Sequence, residues 1–202
     1  MNRALAFPAG TVAHLPTATG GELADLLALE RAGARLALVA LPAAVEDSLY
    51  RYNNLPERLA RLYAGVDPLD PDEDLVEEAE GPALALVSGA HLLDDVIDAV
   101  YEALAGLPEE LVVRRPGEEV GEPAAGRRGA LLAFKALIGR DWRADAVIAR
   151  LRRHGSVAVD ARPVIAHARA AAPEAELSLV AAETLGRLAT VYAHEGGVTG
   201  VA

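Results

Sequence analysis

Two short segments of this chain carry the residue types best suited to hold an anion. Thr17, Thr19, Gly20 and Gly21 precede one stretch of helical apolar spacing, and Ser88, Gly89 and His91 precede another. Each segment follows a strand-like aliphatic run, Thr11 to Leu15 in the first case and Ala83 to Val87 in the second. If those runs are parallel neighbouring strands, the free N–H groups of two helix N-termini face one crevice, and a phosphate or carboxylate fits between them. Against this, neither the G-x-G-x-x-G nor the G-x-x-x-x-G-K-[ST] spacing occurs, and Thr, Ser and Gly commonly precede helices as caps. Capping is the simpler account of these seven residues.

His91, Asp95 and Asp98 stand at i, i+4 and i+7, with Asp94 beside them, so three possible ligands share a helix face. Carboxylates in a first helical turn are also favoured by the macrodipole alone, and no second histidine lies nearby, so no metal site is assigned. Asp70, Asp72 and Asp74 alternate as in a calcium loop, but Leu75 stands where the loop needs glycine and Gly81 where it needs glutamate. Ser88 lacks the flanking glycines of a nucleophile elbow. His14 and His167 lie within apolar strand runs, which suits half-buried or edge positions. No motif calls for a cofactor.

A basic constellation remains. From Arg127 to Arg153 there are eight bases and two acids, with Trp142 in the middle, and Arg143, Arg150, Arg152 and Arg153 form the candidate patch. Such a patch can grip phosphates while Trp142 offers a stacking face. It can equally dock on acidic surface of the same chain or of a second subunit. The charge distribution favours docking over nucleic acid. Residues 1–125 hold 23 acids and 8 bases, a net −15; residues 126–202 hold 7 acids and 11 bases, a net +4; the sum is the chain's −11.

Composition narrows the classes further. The 202 residues are 52% hydrophobic but only 4% aromatic, enough for a core built from Ala, Leu and Val. There is no cysteine, which removes disulfides and thiolate chemistry and suits a reducing cytoplasm. Pro8, Gly10 and His14 interrupt the first apolar run, so no export signal is expected, and the uncharged stretches fall short of the ~20 residues that span a bilayer.

The elements that must position these groups read as follows. Arg3 to Phe7 and Thr11 to Leu15 predict a hairpin about Pro8-Ala9-Gly10. Glu22 to Ala32 predicts a helix with the stripe Leu23, Leu26, Leu27, leaving Leu29 outside it. Arg35 to Leu41 predicts a strand covered on both faces. Helices follow at Ala43 to Tyr52 and Pro56 to Tyr63, then a solvated acidic connection over Asp67 to Glu80, a buried strand at Ala83 to Val87, a helix from His91 to Ala105 and a strand at Glu110 to Arg115. The Gly/Pro/Glu-rich stretch 116–126 suggests a boundary between an acidic α/β domain, 1–118, and a mildly basic α+β domain, 127–202, which can still pack as one unit. The second part predicts helices at Arg128 to Ile138 and Trp142 to Arg153, the latter capped by Asp141. Strands at Ser156 to Val159 and Pro163 to His167, a helix at Pro173 to Leu185, and a hairpin about His194 to Gly197 complete it.

The fold class expected is therefore α+β or mixed α/β, ending in a β-hairpin. The function expected is that of a non-catalytic cytoplasmic interaction or regulatory protein acting as a homo-oligomer, with no membrane and no nucleic-acid partner. An enzyme or sensor binding a small anion at the two loops, and nucleic-acid binding through 127–153, are the alternatives.

Overall fold

The computed structural model describes residues 21–202. The expected N-terminal hairpin, with Thr17, Thr19 and Gly20, lies outside them. Among the described residues eight α-helices accompany two antiparallel sheets, about 52% helix and 17% strand, a mixed α+β protein that ends in a hairpin.

The larger sheet has the order β1 (Leu38–Leu41), β4 (Val164–Ala168), β2 (Glu110–Arg114), β3 (Glu122–Ala125), every neighbour antiparallel. Strand periodicity sends alternate side chains to opposite faces, and both faces are covered. Val39, Leu41, Leu111, Val113, Val164 and Ala166 enter one core; Leu38, Ala40 and Ile165 enter the other. This is why Arg35 to Leu41 reads as a continuous aliphatic run, although regular pairing begins only at Leu38.

Against the first face pack α2 (Ala43–Tyr52), α3 (Leu55–Leu62), α4 (Glu73–Gly89), α5 (Asp94–Ala103), α6 (Gly126–Arg140) and α7 (Ala144–His154). On the second face lie α1 (Glu22–Arg31), α8 (Ala175–Leu185) and the small sheet of β5 (Ala172–Glu174), β6 (Val191–His194) and β7 (Gly197–Val201). Residues 35–37 join the sheets: Ala37 N donates to Val198 O at 2.7 Å, and Val198 N to Arg35 O at 2.8 Å. The β6–β7 turn is a two-residue loop, Glu195-Gly196, with φ of 47° and 74°, the doubly left-handed turn whose twist matches a hairpin.

Several sequence expectations need correction. Ala83 to Val87 is not a strand but the second half of α4, which begins at Glu73 and runs through Pro82. Asp72 caps it, its carboxylate accepting from Asp74 N and Leu75 N, and Val76, Ala79, Ala83 and Val87 bury at helical spacing. That continuous stripe outweighs the proline's missing N–H. In α1 the buried stripe is Leu23, Leu26 and Leu29, so Leu29 belongs to it and Leu27 is the partly buried member. Ser156 to Val159 is irregular, and β5 precedes α8 where helix was expected. Stretch 116–126 is the turn and outer strand of the β2–β3 hairpin. β4, from beyond residue 127, sits between β1 and β2, from before residue 118, so the large sheet is built from both parts of the chain.

Candidate functional site

The first two acid–base constellations come from one feature that the sequence reading passed over: consecutive arginines at the end of β2. Arg114 and Arg115 project to opposite faces of the sheet, and each meets a buried glutamate. On the second face Arg114 clamps Glu22 of α1, Nη2 to Oε1 at 2.5 Å and Nη1 to Oε2 at 2.6 Å. Glu22 also accepts from Gly117 N and Val201 N, tying β7 and the β2–β3 turn to α1. Gly200 leaves room for this clamp: a Cβ there would stand 2.6 Å from Arg114 Nη2. Burial pushes the Glu22 carboxyl up, but the Arg114 hydrogen bonds, the two N–H donors and the Arg114 charge outweigh it and hold the group below its ordinary range.

His167 on β4 completes this cluster. Its Nε2 accepts from Arg114 Nε at 3.1 Å, which places the proton on Nδ1, donated to Ala168 O at 2.8 Å. Burial lowers the His167 pKa; the Ala168 carbonyl opposes this, the Arg114 charge adds to it and the Glu22 charge opposes it. The ring is thus neutral in the folded chain at pH values where an unfolded histidine near 6.5 already takes up a proton. Stability is unaffected by this group above about pH 6.5 and falls as the pH drops below it, by up to about 1.4 kcal/mol per pH unit for one proton. Glu22 adds a second loss below its unfolded value of 4.5. Urea titrations between pH 7 and 5 should show a shallower pH slope for His167→Gln than for the wild type; equal slopes would remove this assignment.

On the first face Arg115 meets Glu46 of α2, Nη1 to Oε2 at 2.5 Å and Nη2 to Oε1 at 3.0 Å, and also donates to Asp141 Oδ2 and Arg162 O. Arg162 donates from its main chain to Glu46 and from its side chain to Asp141. Asp141 was expected to cap the helix at Trp142. Instead it ends α6 and joins this network, and α7 begins at Ala144 with Arg143 at its N-cap. Both clusters hold helices to the sheet, with Arg115 Nε left buried and without a hydrogen-bond partner among the described residues.

The residues of the basic patch separate. Trp142 is 2% exposed; its indole N–H donates to Tyr50 Oη at 3.1 Å, Tyr63 stacks on it with centroids 6.1 Å apart, and the Arg150 guanidinium lies 5.1 Å from its ring. No face is left for a nucleic-acid base. Arg150 also donates to Asp141 O and Val157 O, so its guanidinium is half-buried and already engaged within the chain. Arg143, Arg152 and Arg153 are exposed, and Arg152 pairs with Glu73 of α4 at 2.8 Å. Basic α7 therefore meets the acidic first turn of α4 through this pair. Arg140 with Glu122 and Arg187 with Asp25 repeat this pairing between the basic and acidic parts.

Ser88 and Gly89 form the last turn of α4, and His91 lies in the α4–α5 connection, so a helix and not a strand precedes them. Gly21, the described member of the other group, is the N-cap of α1, and the Glu22 carboxylate behind it is buried in the Arg114 clamp. No group of three metal-ligating side chains occurs among the described residues, His91, Asp94, Asp95 and Asp98 included.

Of these residues His91 lines one end of a groove of about 680 Å³ between α5 and α6. Asn53, after α2, fixes this end: its Oδ1 accepts from His91 N and its Nδ2 donates to His91 O. Helical spacing builds the walls. Asp94, Ile97 and Tyr101 line it from α5, at i, i+3 and i+7; Arg128, Leu131, Leu132 and Lys135 line it from α6, at i, i+3, i+4 and i+7. Tyr52, Leu93 and Leu132 stay exposed there, at 61%, 38% and 60%. Lys135 Nζ donates to Ser88 O at the His91 end, and Arg127 covers the Tyr101 ring at the other, so α5 and α6 run in opposite directions along the groove.

No protein-family model matches this chain, and no curated protein matches it. Among the described residues no helix is long and apolar enough to cross a membrane.

Proposed function

We propose that this chain is a non-catalytic interaction or regulatory protein of the cytoplasm that acts as a homo-oligomer. The observation that supports this reading most is the α5–α6 groove, where Tyr52, Leu93 and Leu132 are held out to solvent around Ile97 and Leu131 with charged groups at the rim. Monomeric surfaces rarely gather large apolar side chains in one place, and a concave apolar floor with a polar rim is the anatomy of a protein interface. The buried acids and bases at Arg114 and Arg115 support the same reading, because both carboxylates and the guanidinium Nη groups that meet them join helices to the sheet.

Size-exclusion chromatography with light scattering tests it. The expected mass is at least twice the 21.1 kDa of one chain, falling toward a single chain as salt is raised. A mass of one chain at every protein and salt concentration would overturn the reading.

A further inference from the structure

The charges of the groove walls select the occupant. α5 carries Asp94, Asp95, Asp98 and Glu102 with no base; α6 carries Arg127, Arg128, Lys135 and Arg140 with no acid. An acidic helix and a basic helix therefore flank one apolar floor. Among the described residues no α5 acid reaches an α6 base within 4 Å, and Asp94 and Arg128 enter no ion pair.

We infer that the groove is the contact face of a two-fold dimer of this chain, with the acidic α5 of each copy laid over the basic α6 of the other. This rests on the homo-oligomer reading above and names its surface. An isologous interface must be complementary to itself. Two-fold axes in the plane of the face can run along the groove or across it. An axis across the groove sets α5 on α5 and α6 on α6, like charge on like. An axis along it exchanges the walls while keeping position along the groove, so Asp94 of one copy stands over the partner's Lys135, and Tyr101 and Glu102 stand over the partner's Arg128. The exposed Tyr52, Leu93 and Leu132 then meet their counterparts between the two charged walls. Helices about 15 and 22 Å long and roughly 10 Å wide offer less than the ~800 Å² per partner of a standard interface, which places the dimer among weak, charge-dependent associations.

Charge reversal separates this face from any other. Asp94→Lys sets two ammonium groups against two, Lys135→Glu sets two carboxylates against two, and each should weaken self-association by roughly tenfold or more. Mixing the two variants in equal amounts restores opposite charges at both contacts, so a species of twice the chain mass should reappear in light scattering. That recovery also shows that both variants are folded. In the wild type, a zero-length carbodiimide cross-link should join Asp94 to Lys135, the chain's only lysine, within covalent dimers. A wild-type oligomer whose mass and salt response are unchanged in both variants removes this face and leaves the homo-oligomer reading intact. A wild type that stays a single chain throughout sinks both.

Discussion

Arg115→Met is expected to lower the free energy of unfolding by about 3–5 kcal/mol, the range for breaking a buried ion pair by removing one partner. Glu46 is 0% exposed, and its carboxylate takes two guanidinium N–H groups of Arg115 and the Arg162 main-chain N–H. Without the guanidinium a single neutral donor faces a charge that has lost its water. Replacing Glu46 and Arg115 together by methionine should recover most of the loss, because the desolvation cost leaves with the charges. Urea unfolding followed by circular dichroism reads both variants. A single variant within about 1 kcal/mol of the wild type would mean that the pair holds nothing together.

Trp142→Ala should cost a similar amount, about 3–5 kcal/mol, through the cavity left by a buried aromatic side chain. The ring ties together α2, α3 and α7: Tyr50 accepts its N–H, Tyr63 stacks on it, and Arg150 lies against it. Trp142→Phe keeps a ring for Tyr63 and Arg150 and removes only the indole donor, leaving the Tyr50 hydroxyl without that donor in an environment whose burial pushes its pKa far up. That variant should lose only about 1–3 kcal/mol. Equal losses for Ala and Phe would show that the hydrogen bond outweighs the packing. For a domain whose net stability is of order 5–15 kcal/mol, either the Arg115 or the Trp142 truncation leaves a marginal fold.

Much of the fold was legible locally. Ala43 to Tyr52 is a helix over the expected span, because its apolar residues Val45, Leu49 and Tyr50 keep one face and Pro42 ends the strand before it. Gly186 closes α8 in the left-handed conformation, and the turn residues between His194 and Gly197 set the last hairpin, both from backbone requirements that a short window contains. The failures were equally local in origin. Gly81-Pro82 looked like a break, and only the stripe from Val76 to Val87, read across it, reveals one helix. Glu122 to Ala125 looked like a linker, since Pro123 and two glycines nearby suit one; its strand character comes from pairing with Glu110 to Val113.

The candidate site shows the same division. Acidic 1–125 and basic 126–202 are a property of residue order alone, and so are the all-acid α5 and the all-base α6. Aliphatic strands covered on both faces, the closing hairpin and the mixed α+β class also follow from local pattern, because periodicity and turn chemistry act over a few residues. Tertiary structure alone decided that α5 and α6 flank one groove, that Trp142 is buried instead of stacking on a ligand, and that Arg114 and Arg115 find Glu22 and Glu46 on opposite sides of one sheet. Those pairings join residues 92 and 69 positions apart, and a charge becomes a clamp only when the partner that offsets its desolvation is brought to it.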